Sequence, residues 1–276
     1  MTSRLGLRAL LSTRSVELSR DLSNWLSVGV AAGIAFPSRL PPRAGLFGKP
    51  LGRLEVTLKL RNGYRLRCRL DELEGYYAAF VQREYDGIVA DWGNVASIVD
   101  VGANVGAATL WFAAHAPAAR LLAVEPSPDV YPRLVENIRR SRLQDRVTPV
   151  AAALGAHTGL ATVLRENWSV MTKTQSGVQG GLPVVVQLSL ADLIEAFGLS
   201  EVSLLKLDCE GAEYDVLLST SPPLLRRFKG IAAELHPMPG HEVSELQAHL
   251  DGAGFEVQIS EKAGRARMLS AVRSDA

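Results

Sequence analysis

The sequence predicts an α/β fold: a parallel-rich sheet with helices on both faces. Three observations carry that expectation. From Ser97 onward, short apolar runs alternate with stretches of helical period. The runs are almost continuously hydrophobic, as in Leu121-Leu122-Ala123-Val124, which suits strands buried on both sides. The first run, Ser97-Ile98-Val99, leads into a glycine loop, Gly102-Ala103-Asn104-Val105-Gly106, and then at once into a helical pattern. A chain of 276 residues accommodates one such domain plus an appendage.

Residues 1–50 read as an N-terminal extension. A helical stretch over 16–35 ends at Phe36-Pro37, and Pro37, Pro41, Pro42, Gly45, Gly48 and Pro50 make a linker. Residues 51–95 form a lead-in. Leu54 to Leu60 alternates apolar and polar, Asn62-Gly63 signals a tight turn, and Tyr64 to Leu70 alternates again, so a β-hairpin with a basic outer face is expected. A helix is expected over 73–91. The main domain, 96–276, then carries strands near 97–101, 121–125, 146–152, 203–208, 229–236, 254–259 and 267–272. Helices are expected near 105–115, 128–142, 190–197, 211–219 and 241–252. Between 157 and 188 the pattern changes: short strands at 160–164 and 184–188 flank a polar stretch, 167–181, that is a candidate substrate loop or lid.

Charge is uneven along the chain. Residues 1–69 carry a net +10 and the remainder a net −9. The basic part packs on the acidic body or on a sister subunit, or it meets an anionic partner. Its arginines are scattered without interleaved aromatics, which argues against nucleic acid. Cys68 and Cys209 have no zinc or disulfide spacing, and a cytoplasmic setting is expected. The uncharged run 22–37 is short for a bilayer of about 30 Å and is expected as an interfacial or packing helix, or a homodimer element.

Chemistry concentrates at the strand ends, where ligands bind in open α/β sheets. Asp100 directly precedes the glycine loop, and Glu125 ends the next strand. An acid beside the loop suits an ammonium and a sulfonium better than a pyrophosphate, and a carboxylate at Glu125 suits ribose hydroxyls. Together these features point to S-adenosylmethionine, the alternative being an ordinary strand–helix turn. A second cluster follows. Alternation places Lys206, Asp208 and Glu210 on one face of a strand end, and Glu234 and His236 on one face of a later strand. Such a group either grips and deprotonates a substrate hydroxyl, or contains a structural Lys206–Glu234 ion pair.

Asp-Val-Gly-Ala-Asn-Val-Gly, Val-Glu-Pro-Ser-Pro, Leu-Lys-Leu-Asp-Cys-Glu-Gly-Ala-Glu and Glu-Leu-His together resemble the FkbM family of S-adenosylmethionine-dependent methyltransferases. The resemblance covers about residues 97–240. It implies a Rossmann-like class I methyltransferase fold with a seven-stranded, mostly parallel sheet. It also implies methylation of a hydroxyl on a sugar, glycolipid or polyketide-type natural product. By resemblance and geometry, Asp100, Gly102, Ala103, Asn104 and Gly106 form the methionine-end pocket. Glu125 takes the ribose, Pro126 and Ser127 shape the adenosine edge, and Ala152 and Ala153 flank the adenine. His236 is the first expected base and Asp208 the second, with Lys206 easing alkoxide formation. Asp208, Glu210, Glu234 and His236 are also ligands of the kind that bind Mg²⁺ or Mn²⁺. Two other readings remain: an NAD-dependent oxidoreductase of the same fold class, and a membrane-surface or assembly protein using residues 1–50.

Overall fold

The computed structural model describes residues 55–165, 172–262 and 266–275. The expected helix at 16–35, the linker after it and the apolar run 22–37 lie outside the described residues. So does part of the polar stretch 167–181.

The hairpin forms as expected, from β1 (Glu55–Lys59) and β2 (Arg65–Arg69). Its turn places Gly63 at φ +89°, where a residue without Cβ adopts the conformation freely. Leu58 faces Leu66 and Val56 faces Cys68 across the pair. Burial pushes the Cys68 thiol up to about 12. The helix expected over 73–91 is shorter: an α turn (Leu73–Tyr76) continues as a π stretch (Tyr77–Gln82) and stops at Arg83, which is left-handed. Tertiary contacts beyond that point outweigh helix propensity. Tyr85 packs against Trp111 and Phe112, and Glu84 pairs with Lys262.

The main domain then alternates as the pattern predicts. β3 (Ser97–Val101), α1 (Ala107–His115), β4 (Arg120–Val124), α2 (Tyr131–Arg140) and β5 (Val147–Val150) come first. The strand expected over 146–152 stops at Val150. Pro149 lacks an N–H to donate, which suits β5 to its place at the sheet edge. The chain then leaves for a second sheet. Its strands are β6 (Ala153–Leu154), β7 (Gly159–Arg165), β8 (Thr172–Ser176) and β9 (Val184–Leu188), in the order β6-β9-β7-β8. β7 and β9 are the two expected short strands, and β8 is an addition inside the stretch read as polar loop. α3 (Leu190–Ala196), β10 (Val202–Leu207), α4 (Glu213–Ser219), β11 (Phe228–Leu235), α5 (Val243–Gly252), β12 (Phe255–Glu261) and β13 (Arg267–Arg273) complete the domain.

The central sheet has seven strands in the order β12-β13-β11-β10-β3-β4-β5. β11, β10, β3, β4 and β5 run parallel, and β13 is antiparallel to both its neighbours. Strand alternation feeds two cores. Ile98, Leu121, Leu204 and Ala232 pack under the hairpin, the 73–88 segment, α1 and α2. Val99, Leu122, Leu205 and Ala233 pack under α3, α4 and α5. Each fully buried leucine or phenylalanine contributes about 1.5–3 kcal/mol through apolar transfer. Residues 55–95 therefore share a core with the main sheet. One polar residue stitches them together: the buried Asn137 of α2 accepts from Arg67 N (2.7 Å) and donates to Arg67 O and Val105 O (2.8 Å each). Among the described residues, no helix is long and apolar enough to cross a membrane.

Candidate active site

The chain steps from β3 to β4 on one side and returns to β10 on the other, so β3 is the switch point of the sheet. The ends of β4, β3, β10 and β11 carry the residues expected from sequence except Ala152 and Ala153, which follow β5.

On the β3–β4 side, backbone amides converge on one carboxylate. Asn104 N donates to Glu125 Oε2 (2.9 Å) and Ser127 N to Glu125 Oε1 (2.8 Å). Gly102 N and Ala103 N both donate to Val124 O at 3.0 Å. Asn104 sits at φ +51°, a conformation asparagine tolerates better than most side chains. Burial pushes the Glu125 carboxyl up to about 7, against the pull of its two amide donors. Among the described residues the neighbouring Ser127 hydroxyl is buried without a hydrogen-bond partner, and Pro126 is half-buried.

Several of the expected residues also have structural partners here. Gly102 and Gly106 were expected to admit a ligand. Each also meets a demand of the fold itself. A Cβ on Gly102 would fall 1.7 Å from the Asp208 carbonyl oxygen, and one on Gly106 2.9 Å from Leu134 Cδ1. Both have positive φ, +72° and +92°. Asp100, expected to meet an ammonium, is fully buried. It accepts from Thr109 Oγ1 (2.6 Å) and pairs with Lys206 Nζ (3.1 Å). Lys206, expected beside the substrate hydroxyl, is buried too. It donates to Val101 O and Gly102 O at 3.1 Å each. Burial works against its charge, and Asp100 and Asp208 outweigh that, so its pKa rises and it stays cationic. Lys206 is thus a strut under the glycine loop. The alternative Lys206–Glu234 ion pair does not form either, because the in-register neighbour that matters is Asp100. Ala152 and Ala153 are both buried, and Ala151 before them is exposed.

On the β10–β11 side, charged side chains converge. Lys206 is in register with Ala232, so two residues further on Asp208 and Glu234 stand across from one another. His236 Nε2 lies 3.4 Å from Glu210 Oε2 and 3.9 Å from Glu234 Oε1. Glu210 is left-handed at φ +58°, a strained conformation for a residue with a Cβ, and such strain clusters at functional sites. Burial lifts the Glu210 carboxyl to about 7; His236 opposes this, and Asp208, Glu213 and Glu234 add to it. Burial alone would lower His236. The Glu213 hydrogen bond and the surrounding carboxylates outweigh it and raise the imidazole to about 9. A ring raised to about 9 favours the imidazolium at neutral pH, whereas the sequence reading expected a neutral base there. Asp208 keeps the most open side chain of the group.

Two participants were missed in the sequence. Glu213 is fully buried and holds His236 Nδ1 at 3.1 Å. Its signal was present, as the last acid of the Lys-x-Asp run. Lys262 bonds Glu234 and pairs with Glu84 (2.9 Å), tying the lead-in segment to the strand end. No motif marks it. Asp208, Glu210 and His236 each place a ligand atom within 4.8 Å of the others, and Glu234 is outside that tighter set.

Comparison with known proteins adds to this geometry. Residues 100–257 match the model of the methyltransferase FkbM domain. The chain is 28% identical over 259 residues to the AMB antimetabolite synthetase AmbE of Pseudomonas aeruginosa, covering 76% of this chain but only 12% of AmbE. It is 26% identical over 234 residues to the 31-O-demethyl-FK506 methyltransferase FkbM of Streptomyces tacrolimicus, covering 73% of this chain and 89% of that protein. It is 24% identical over 213 residues to methyltransferase sdnD of Sordaria araneosa, covering 66% and 81%. Among solved structures, the METTL16 MTase domain aligns with a TM-score of 0.49 and 12% identity, over 96% of this chain and 91% of that one.

Proposed function

Because this chain belongs to the FkbM methyltransferase family, we propose that it is an S-adenosylmethionine-dependent O-methyltransferase acting on a hydroxyl of a sugar, glycolipid or polyketide-type natural product. One observation carries the reading: an amide-held carboxylate and a polar cluster lie at the same end of one sheet, on either side of β3. The glycine-loop half fits an adenosyl group. Glu125 spends one lone pair of each oxygen on an amide, leaving others for ribose hydroxyls. The buried, unpartnered Ser127 hydroxyl beside it is a ready partner for the same ligand. When bound, S-adenosylmethionine supplies a sulfonium-activated methyl group for transfer to oxygen. The chain's own task is to align the acceptor, exclude water and take the hydroxyl proton.

Glu210 is the residue we assign to receive that proton. Its pKa of about 7 matches neutral working conditions, and the His236 imidazolium beside it stabilises the ionised form. Asp208, the most open acid, is the residue we assign to orient the acceptor hydroxyl. Family membership favours this reading over a dinucleotide oxidoreductase, and the 31-O-demethyl-FK506 methyltransferase supports oxygen as the methylated atom. A membrane-surface role would rest on residues 1–50, outside the described residues.

Mass spectrometry of candidate glycans, glycolipids and polyketides, with protein and S-adenosylmethionine, tests the proposal. A gain of one methyl on a hydroxyl-bearing acceptor is expected. Methylation of nitrogen or carbon alone would contradict it. A second reading adds a divalent ion. Asp208, Glu210 and His236 would hold it, with Glu213 fixing the ring from behind, and it would supply charge to hold acceptor hydroxyls. Turnover lost to EDTA and restored by Mg²⁺ or Mn²⁺ is its expected signature.

A further inference from the structure

We propose that Glu213 is a positioning residue that sets the turn 209–211 and the His236 ring together, so that Nε2 of the imidazole faces Glu210 and the acceptor side. Its consequence for turnover rests on the methyltransferase reading, while its substance rests on geometry alone.

Glu213 opens α4 and has no exposed surface. Cys209 N donates to its Oε1 (2.8 Å) and Gly211 N to its Oε2 (2.9 Å). His236 Nδ1 meets Oε1 at 3.1 Å. Oε1 already accepts from Cys209 N, so it meets Nδ1 as an acceptor too, and Nδ1 carries the hydrogen of that bond. With Nδ1 held by Glu213, the opposite nitrogen, Nε2, faces the side where Glu210 and Glu234 lie. The same carboxylate holds the amides on either side of Glu210. Glu210 is thereby kept in its left-handed conformation with its acid toward the imidazole. One buried acid thus sets both members of the facing pair, Glu210 through the backbone and His236 through the ring. Being fully buried, it cannot reach an acceptor itself. The bond from Glu213 links α4 to the end of β11, two elements that meet only by folding.

The test uses Glu213→Gln, with Glu213→Asp as a second variant read the same way if the first does not fold. In ¹⁵N-histidine-labelled protein without ligand, the wild type is expected to show a downfield, exchange-protected His236 Nδ1–H signal, assigned by its loss in His236→Ala. The signal should vanish or move upfield in Glu213→Gln. Calorimetry with S-adenosylhomocysteine should give an affinity within about twofold of wild type, because the glycine-loop half is untouched. With the acceptor found by the methyl-gain screen, kcat should fall by about 10²-fold while KM for S-adenosylmethionine holds. A His236 signal unchanged by the substitution, or an unchanged kcat, would overturn the proposal. If the wild type methylates nothing, the methyltransferase reading falls, and the imidazole signal alone still decides the positioning claim.

Discussion

At the ends of β3 and β4, backbone amides do the holding; at the ends of β10 and β11, charged side chains do. Glu125 is fixed by two N–H donors from its own neighbourhood. Glu210, Glu234 and His236 are fixed by one another and by Glu213 and Lys262. The first arrangement is set as soon as two adjacent parallel strands form. The second crowds like charges in a half-buried space, and burial first, with the neighbouring acids adding to it, lifts the pKa values of Glu210 and Glu234. One half is therefore held by the backbone before any ligand arrives, and the other by side chains that an ion or an incoming hydroxyl can rearrange. They meet at Gly102, whose backbone lies against the Asp208 carbonyl, and at Lys206, which ties the loop to Asp100 and Asp208.

Breaking that joint should have the largest effect. Gly102→Ala pushes a Cβ into the Asp208 backbone at φ +72°. It should cost about 3–5 kcal/mol in urea unfolding, in the range of severe core strain. Wild-type stability would mean that the halves are not coupled there. Next is the glycine-loop half alone. Asn137→Leu strands Arg67 N–H and the Arg67 and Val105 carbonyls. It should cost about 2–4 kcal/mol by the same measurement. A loss below about 1 kcal/mol would show that the hairpin is not needed to brace the loop.

Acidity separates the halves more gently. Glu125 sits at about 7 in the free protein, so below that pH its carboxyl is protonated and accepts ribose hydroxyls less well. Affinity for S-adenosylhomocysteine should rise as pH passes upward through about 7, then level off. Methyl transfer should also rise through about 7 as Glu210 ionises, and fall above about 9 as His236 loses its proton. A binding curve flat between pH of about 6 and about 8, beside a turnover curve that bends, would place all the titration on the β10–β11 side.

The same contrast governs how much the sequence could disclose. The strands, the hairpin and the Glu125 half are short-range features, written in apolar runs, Asn-Gly and a glycine loop. Strand alternation also placed Lys206 and Asp208 on the correct face. Parity gives the face and not the neighbour, however. It could not tell that Lys206 would meet Asp100 on β3 rather than Glu234 on β11. Lys262 lies at the end of β12, two strands from β11 in the sheet, so only the full strand order brings it to Glu234. The stop at Arg83 was hidden because its cause, Lys262 and the aromatic cluster of α1, is far along the chain. Glu213 stood in the quoted motif, but its partners became visible only once the turn 209–211 was closed.

The most direct measurement pairs two variants. Glu125→Ala and His236→Ala should be compared for S-adenosylhomocysteine binding by calorimetry and for methyl transfer to the identified acceptor. A division of labour predicts that Glu125→Ala weakens binding by about 10- to 100-fold, the value of lost hydrogen bonds to a charged group. It predicts that His236→Ala binds S-adenosylhomocysteine as the wild type does yet loses turnover by about 10²-fold or more. Loss of S-adenosylhomocysteine binding in His236→Ala, or unimpaired binding in Glu125→Ala, would contradict the assignment of the two halves.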